Sequence, residues 1–327
     1  MPGNARQTSF TQAVNAALAD AMALDRDVFV CGIAVDAKVA IFGTTQGLQE
    51  RFGAGRVLDT PISEQALTAM AVGAANAGLR PVLVHQRVDF MLYSMDQIVN
   101  WMAAWRFMSG GRAKMPVTIR VIVGKGWGQG PQHSKSLHAW FAHVPGLKVV
   151  MPSTPIDAKG LLLSSIFSDD PVIFIEGRSL YSMKEGVPSQ PYFIKLGEAA
   201  VRKPGGDLTL VSFGSSVPTA LQAAEILARE QVDAEVLDLR CLMPFDLDAV
   251  LASVGRTRRL VVVEPGWTLF GAGAEIVSSV AERMGPRLLG ARRVGWPHSF
   301  VPTSAPIEAE FYPTAEHVAA ACREAVR

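Results

Sequence analysis

Long apolar runs are missing from this chain: its longest are strand-length, well short of the ~20 residues that cross a bilayer. Nothing in it argues for a membrane. The opening residues, Met1 to Arg6, have no apolar stretch behind them and do not read as a signal peptide. Cysteine is scarce. Cys31, Cys241 and Cys322 are odd in number, far apart and free of any C-x-x-C spacing, which predicts reduced thiols and a cytoplasmic setting. Charge surplus is absent as well: 31 basic against 30 acidic residues leave a formal net charge of +1. With no Lys/Arg-rich block, no nucleic-acid partner is expected. A balanced total still leaves room for an acidic small molecule. The six histidines include no H-E-x-x-H and no other metal-ligand spacing. No G-x-S-x-G elbow occurs, so a serine hydrolase has no support.

What is present is length and apolar content. At ~150 residues per domain, 327 residues predict two domains, and 49% hydrophobic against 19% charged residues allows a large core. Helical and strand patterns alternate throughout. Ser9 or Thr8 can cap a helix reaching Asp25, and 27–34 reads as a buried strand. Ser63 can cap a helix from Glu64 to Ala77 that Gly78 ends. Strands follow at 81–86, 117–124, 147–152 and 172–177, with helical spacing over 90–108 and 157–167. Segment 178–206 carries several Pro and Gly, lacks apolar periodicity, and reads as the linker. Strands at 208–214, 234–240 and 259–265 then alternate with helices at 219–230, 273–284 and 315–326. Continuous apolar strands between helices imply mostly parallel sheets covered on both faces. The expectation is α/β, with two three-layer domains, 1–190 and 191–327. Ligands would lie at the carboxyl ends of strands, near 84–90 and 124–134.

Two stretches could carry chemistry. In TPISE (60–64), Glu64 opens a helix. It is either a carboxylate favouring the helix N-terminus or a partly buried group able to share a proton with a ligand nitrogen. In GKGWGQGPQHS (124–134), four Gly and one Pro demand special backbone angles. The spacing is not that of a Walker A loop. His133, at its end, is either a surface residue or a donor or acid–base group. GAGAE (271–275) reads as a tight helix start.

Taken in order, these strings resemble one family: FGTTQGLQERFGAGRVLDTPISEQALTAMAVGAANAGLRPVL (42–83), DF…DQIVN (89–100), MSGG (108–111), PQHSKS (131–136), HVPGLKVVMPSTPIDAKGLL (143–162), DPVIFIEGRSLY (170–181), VLDLRCLMPFD (236–246) and VVVEPGWTLFGAGAEI (261–276). They look like the beta subunits of thiamine-diphosphate-dependent 2-oxo acid dehydrogenases acting on pyruvate, branched-chain 2-oxo acids and acetoin. The resemblance covers nearly the whole chain. It implies a pyrimidine-binding domain followed by a transketolase-type C-terminal domain. It also implies that Glu64 hydrogen-bonds the aminopyrimidine of thiamine diphosphate, promoting the tautomer that deprotonates the thiazolium carbon. Gln86 matches a position beside the pyrimidine, and Phe90 an aromatic packed on that ring. Ile62, just before Glu64, packs either against the cofactor or in the core, and His133 matches the histidine implicated in acyl transfer to a lipoyl acceptor. Val117, Ser165, Ser168 and Asp170 match backbone-carbonyl positions that hold a potassium ion in family members.

The family holds magnesium and diphosphate through a GDG…N motif, which this chain lacks; Gly205-Gly206-Asp207 has the wrong order. In split members that motif belongs to an alpha subunit. The resemblance therefore implies an alpha partner carrying Mg2+, in an assembly of two alpha and two beta chains that can dock a lipoyl acyltransferase. The family commonly reads PV-x-E-I-Q-F-x-DF where this chain reads PVLVHQRVDF. Val84 stands for an acid, His85 for an aliphatic and Arg87 for an aromatic residue, and His138 replaces an acid further on. His85, Arg87 and His138 are thus candidate substrate residues, and the Arg fork suits an anionic substrate. Two rival readings share these motifs: a split transketolase-like carboligase, and a non-catalytic scaffold subunit.

Overall fold

The computed structural model describes residues 5–37, 40–126 and 128–326; Met1–Asn4, at the chain start read above, and Trp127 of the glycine loop lie outside them. The chain forms two compact units. The first comprises Met1–Val123 and Trp140–Leu196; the second comprises Gly124–Ala139 and Gly197–Arg327. The glycine-rich loop and His133 therefore belong to the second unit, although they lie within the first half of the chain.

In the first unit, β1 (Ala5–Ser9) leads into α1 (Phe10–Leu24), which begins with a complete capping box. Ser9 accepts from the Gln12 amide while the Gln12 side chain accepts from the Ser9 amide. The central strands are β2 (Val28–Gly32), β3 (Val57–Asp59), β4 (Arg80–His85), β5 (Thr118–Val123), β6 (Lys148–Val150) and β7 (Val172–Gly177). They run parallel in the order β6-β7-β5-β4-β2-β3. β5 and β7 are buried from end to end, as expected of parallel strands covered by helices. Helix α2 (Leu48–Phe52) precedes β3, and α3 (Glu64–Asn76) leads to β4. Residues 90–108, expected to be helical, are broken into α4 (Val88–Met91), a 3-10 turn, a π turn over Gln97–Met102 and α5 (Trp105–Met108). The π turn has the wide i→i+5 closure, with the Ala103 amide donating to the Ile98 carbonyl at 2.9 Å. At α6 (His138–Ala142) the chain passes from the second unit back to the first. Helix α7 (Pro155–Ile166) is capped by Thr154 and packs on α1. Buried Lys159 of α7 pairs with Asp20 at 3.0 Å and donates to the carbonyls of Pro188, Ser189 and Gln190. Those bonds fix part of the expected linker, where β8 (Lys184–Pro188) pairs antiparallel with β1.

The second unit holds β9 (Ala200–Lys203), β10 (Leu208–Ser212), β11 (Ala234–Asp238), the short β12 (Cys241–Met243), β13 (Arg259–Trp267) and β14 (Gly290–Trp296). Its sheet runs β14-β13-β10-β11-β9, parallel except for the β9 edge. Leu208, Leu210, Val236 and Val261 form one apolar face under α8 (Val217–Arg229) and α12 (Ala315–Val326). On the opposite face Thr209 bonds Ser253 and Thr257 of α9 (Leu247–Thr257), beside α10 (Ala272–Met284). This gives the three layers expected from the alternating pattern. Helix α9, α11 (Ala305–Phe311) and β14 were not read from the sequence. β14 carries two adjacent arginines and two glycines among its seven residues, so its apolar signal is weak. Cys31, Cys241 and Cys322 are free and buried, in agreement with the reduced thiols expected.

Candidate cofactor site

The first unit carries five of the candidate residues on two connections. Chain leaving β3 turns through residues 60–63 and enters α3 at Glu64, which is half-buried; Ile62 beside it is 78% exposed. Chain leaving β4 passes through Gln86 and Arg87 into α4, where Phe90 is half-buried. Both connections follow the carboxyl ends of parallel strands, where open α/β sheets bind ligands. Ser63 occupies the N-cap position of α3, but its hydroxyl makes no cap bond. The helix that opens with Glu64 therefore starts without a side-chain cap.

His85 ends β4. Its ring is buried, and Nε2 lies 3.1 Å from the Thr68 hydroxyl, which donates to the Glu64 carbonyl at 2.9 Å. Thr68 has one O–H proton, and Glu64 receives it, so His85 Nε2–H is the donor to Thr68. Burial lowers the His85 pKa to about 4, which keeps the ring neutral in that tautomer. The side chain expected to meet substrate braces the first turn of the helix that presents Glu64. Thr68 was missed in the sequence; its signal was a hydroxyl four residues after Glu64 in an Ala-rich helix, one turn away.

Arg87 is buried, and its guanidinium lies 5.8 Å from the centre of the Phe42 ring. Arg178 sits on the same ring at 3.5 Å. Burial, followed by repulsion from Arg87, lowers the Arg178 pKa to about 10. Two cations therefore converge on one aromatic ring; burial lowers the Arg87 pKa, with the Asp89 charge opposing the shift. Below them Tyr181 donates to Glu176 at 2.7 Å, and Arg120 grips the same carboxylate at 2.6 and 3.0 Å.

In the second unit His133 is half-buried at the end of a 3-10 turn, Gly130–Gln132. His138 is buried: Nδ1 lies 3.0 Å from the Ser136 hydroxyl, and Nε2 lies 3.5 Å from the Glu264 carboxylate. A Cβ on Gly266 would stand 2.5 Å from His138 Cε1, so that glycine makes room for the ring. His138 thus meets Ser136 and Glu264 within the second unit.

The four carbonyls matched to a potassium site each accept one protein hydrogen bond, which leaves a second lone pair on each oxygen. Val117 accepts from the Val172 amide, Ser165 from the Ser168 amide, Ser168 from Arg80 and Asp170 from the Ser168 hydroxyl. Lys148 and Arg106 neutralise the Asp170 carboxylate at 3.1 and 2.6 Å. Among the described residues no cluster of three or more His, Cys, Asp or Glu could hold a metal. No helix among them is long and apolar enough to cross a membrane.

Residues 6–184 match the family described as transketolase, pyrimidine binding domain, and residues 197–318 match transketolase, C-terminal domain. The beta subunit of acetoin:2,6-dichlorophenolindophenol oxidoreductase from Cupriavidus necator is 41% identical, over 99% of this chain and 98% of that protein. The pyruvate dehydrogenase E1 component subunit beta of Staphylococcus epidermidis is 43% identical, over 85% and 86%. Among solved structures, a split-gene transketolase described as an inactive beta4 tetramer superposes with a TM-score of 0.81 at 22% identity, covering 98% of each chain. That likeness bears on the fold.

Proposed function

The chain belongs to the transketolase family, among the beta subunits of heteromeric acetoin and pyruvate dehydrogenases, and from that premise we propose that it is the pyrimidine-binding half of a 2-oxo acid dehydrogenase, active only with an alpha subunit. The observation that carries this reading is Glu64. It is a half-buried carboxylate at an uncapped helix start behind the carboxyl end of a parallel strand, with bare Ile62 beside it.

Thiamine diphosphate, when bound, supplies the electron sink that lets a 2-oxo acid lose carbon dioxide. The residues present fit its pyrimidine end. Glu64 holds and returns a proton at its carboxylate, Gln86 offers an amide, and Ile62 and Phe90 offer apolar surface. The Thr68–His85 brace keeps the Glu64 turn from shifting. The diphosphate and Mg2+ fall to the alpha partner, because this chain has no GDG motif. The carbonyls of Val117, Ser165, Ser168 and Asp170 remain candidate ligands for a potassium ion, through the lone pair that each hydrogen bond leaves open. His133 is assigned the acyl-transfer half of the reaction, to a lipoyl acceptor.

An incomplete surface supports the partner. Phe107 is 90% exposed, and Tyr93, Trp101 and Met70 are also bare. Ala69, Val72, Gly73, Asn76, Trp101 and Trp105 line a groove of about 320 Å³. Apolar exposure of this kind marks an interface, which the proposed assembly of two alpha and two beta chains would cover. Cofactor titration tests the reading. Thiamine diphosphate with Mg2+ should bind the chain together with an alpha subunit and not the chain alone, and Glu64→Gln should weaken binding and lower turnover by about 10²–10⁴-fold. Consumption of a ketose donor in place of any 2-oxo acid would move the assignment to a carboligase. Absence of cofactor binding with every partner would leave a scaffold subunit.

A further inference from the structure

The glycine loop 124–134 is held by a residue some 180 positions away. Both oxygens of Glu308, on α11, accept from the loop backbone: the Gly126 amide at 2.7 Å and the Gly128 amide at 2.7 Å. Successive backbone N–H groups closing on one anion form the concavity seen in phosphate-binding loops. Here the anion is the protein's own carboxylate. The glycines are required for this approach. Gly126 and Gly128 adopt φ of 81° and 64°, and a Cβ on Gly128 would stand 2.8 Å from the Thr303 carbonyl. Gly130, also at φ 64°, leaves space for the Thr303 side chain. Glu308 is only 2% exposed, and the Tyr312 hydroxyl donates to it at 3.0 Å. Lys125 lies with its ammonium 4.7 Å from the Tyr312 ring centre, where burial lowers its pKa and the Glu308 charge opposes that shift. The far end of the same segment is tied through Ser136, His138 and Glu264. His133 lies between these two anchors.

Stability alone does not call for such a device. Apolar packing serves a buried position at least as well as a carboxylate whose desolvation must be offset bond by bond. Two charge-assisted bonds to alternate amides of one short loop instead specify that loop's shape. We propose that Glu308 is a positioning residue: its clamp on Gly126 and Gly128 sets the conformation from which His133 acts. This rests on the role given to His133 above.

The test is a double-mutant cycle in the alpha–beta enzyme, with the amide exchange of the loop measured in parallel. Glu308→Ala should lower kcat at least tenfold with KM little changed and deprotect the Gly126 and Gly128 amides. Combined with His133→Gln, it should lower kcat no further than His133→Gln alone, because the two residues act as one unit. Additive losses would mark a merely structural residue and overturn the proposal, as would unchanged exchange at Gly126 and Gly128. Should Glu308→Ala fail to assemble, Glu308→Gln, which keeps the volume and one acceptor oxygen, carries the same cycle with a smaller expected loss of a few-fold in kcat. Full activity in His133→Gln overturns the proposal together with the role of His133. Exchange data from the Glu308 variant then still report whether the clamp orders the loop, so the two failures are distinguished.

Discussion

His85 shows how a single departure from the family pattern is absorbed. An imidazole at an aliphatic position suggested contact with substrate; its ring turns inward and hydrogen-bonds Thr68. What the sequence could not supply was direction, since neighbouring residues on a strand point to opposite faces. The consequence is a pH dependence with a definite sign. The folded ring has its pKa lowered from 6.5 to about 4, so between those values the unfolded chain binds more protons. Stability is full above pH 6.5 and falls as pH drops toward 4, by about 3 kcal/mol at the acid end on ~1.4 kcal/mol per pKa unit. Thermal unfolding of His85→Ile across that window should show a flatter profile than the wild type; an identical slope would put the titration elsewhere. Arg87 carries the other residue-scale prediction. It shares the Phe42 ring with Arg178, a concentration of positive charge suited to an anionic substrate group. If Arg87 selects substrate, Arg87→Ala should lower kcat/KM for a dicarboxylic 2-oxo acid relative to pyruvate by about 10–100-fold, the loss of one charge-assisted bond. An unchanged ratio would assign the pair to packing.

Among the elements, those with strong local signals were legible. The Ser9 capping box, the helix that starts at Glu64 and the buried parallel strands all lie where periodicity and caps put them. The broken stretch over 88–108 was not. Its apolar spacing is helical, but the division into α, 3-10 and π turns is set by packing on α3 rather than by local propensity. The candidate site shares this division. Glu64 and the glycine loop were visible as motifs, whereas Glu308, Glu264 and Arg178 were not, because their partners are remote in sequence or lie on other elements. The same holds for the charged link between β5 and β7. Arg120, in register with Phe174, reaches diagonally to Glu176; both are buried, with Tyr181 on the same carboxylate. Glu176→Gln should leave the guanidinium uncompensated and lower unfolding stability by about 3–5 kcal/mol. Replacing the set together, as Arg120→Met, Glu176→Leu and Tyr181→Phe, should recover most of it in chemical denaturation. A single mutant as stable as the wild type would show that the pair adds nothing.

For the whole molecule, the account is of a subunit that is chemically incomplete by itself. Glu64 is the residue proposed to meet the pyrimidine, no GDG motif is present, and aromatic surface is exposed around α3 and α5. Trp101→Lys, at the groove, should weaken association with the other subunits by tenfold or more in sedimentation, since buried aromatic anchors dominate such interfaces; unchanged association would place the contact elsewhere. The division of labour is tested most directly by activity. The chain, co-expressed with an alpha subunit, should decarboxylate a 2-oxo acid in a thiamine-diphosphate-dependent manner. Neither subunit alone should do so, and Glu64→Gln should abolish the reaction while the assembly stays intact. Full turnover by Glu64→Gln in that same assembly would contradict the account at its centre.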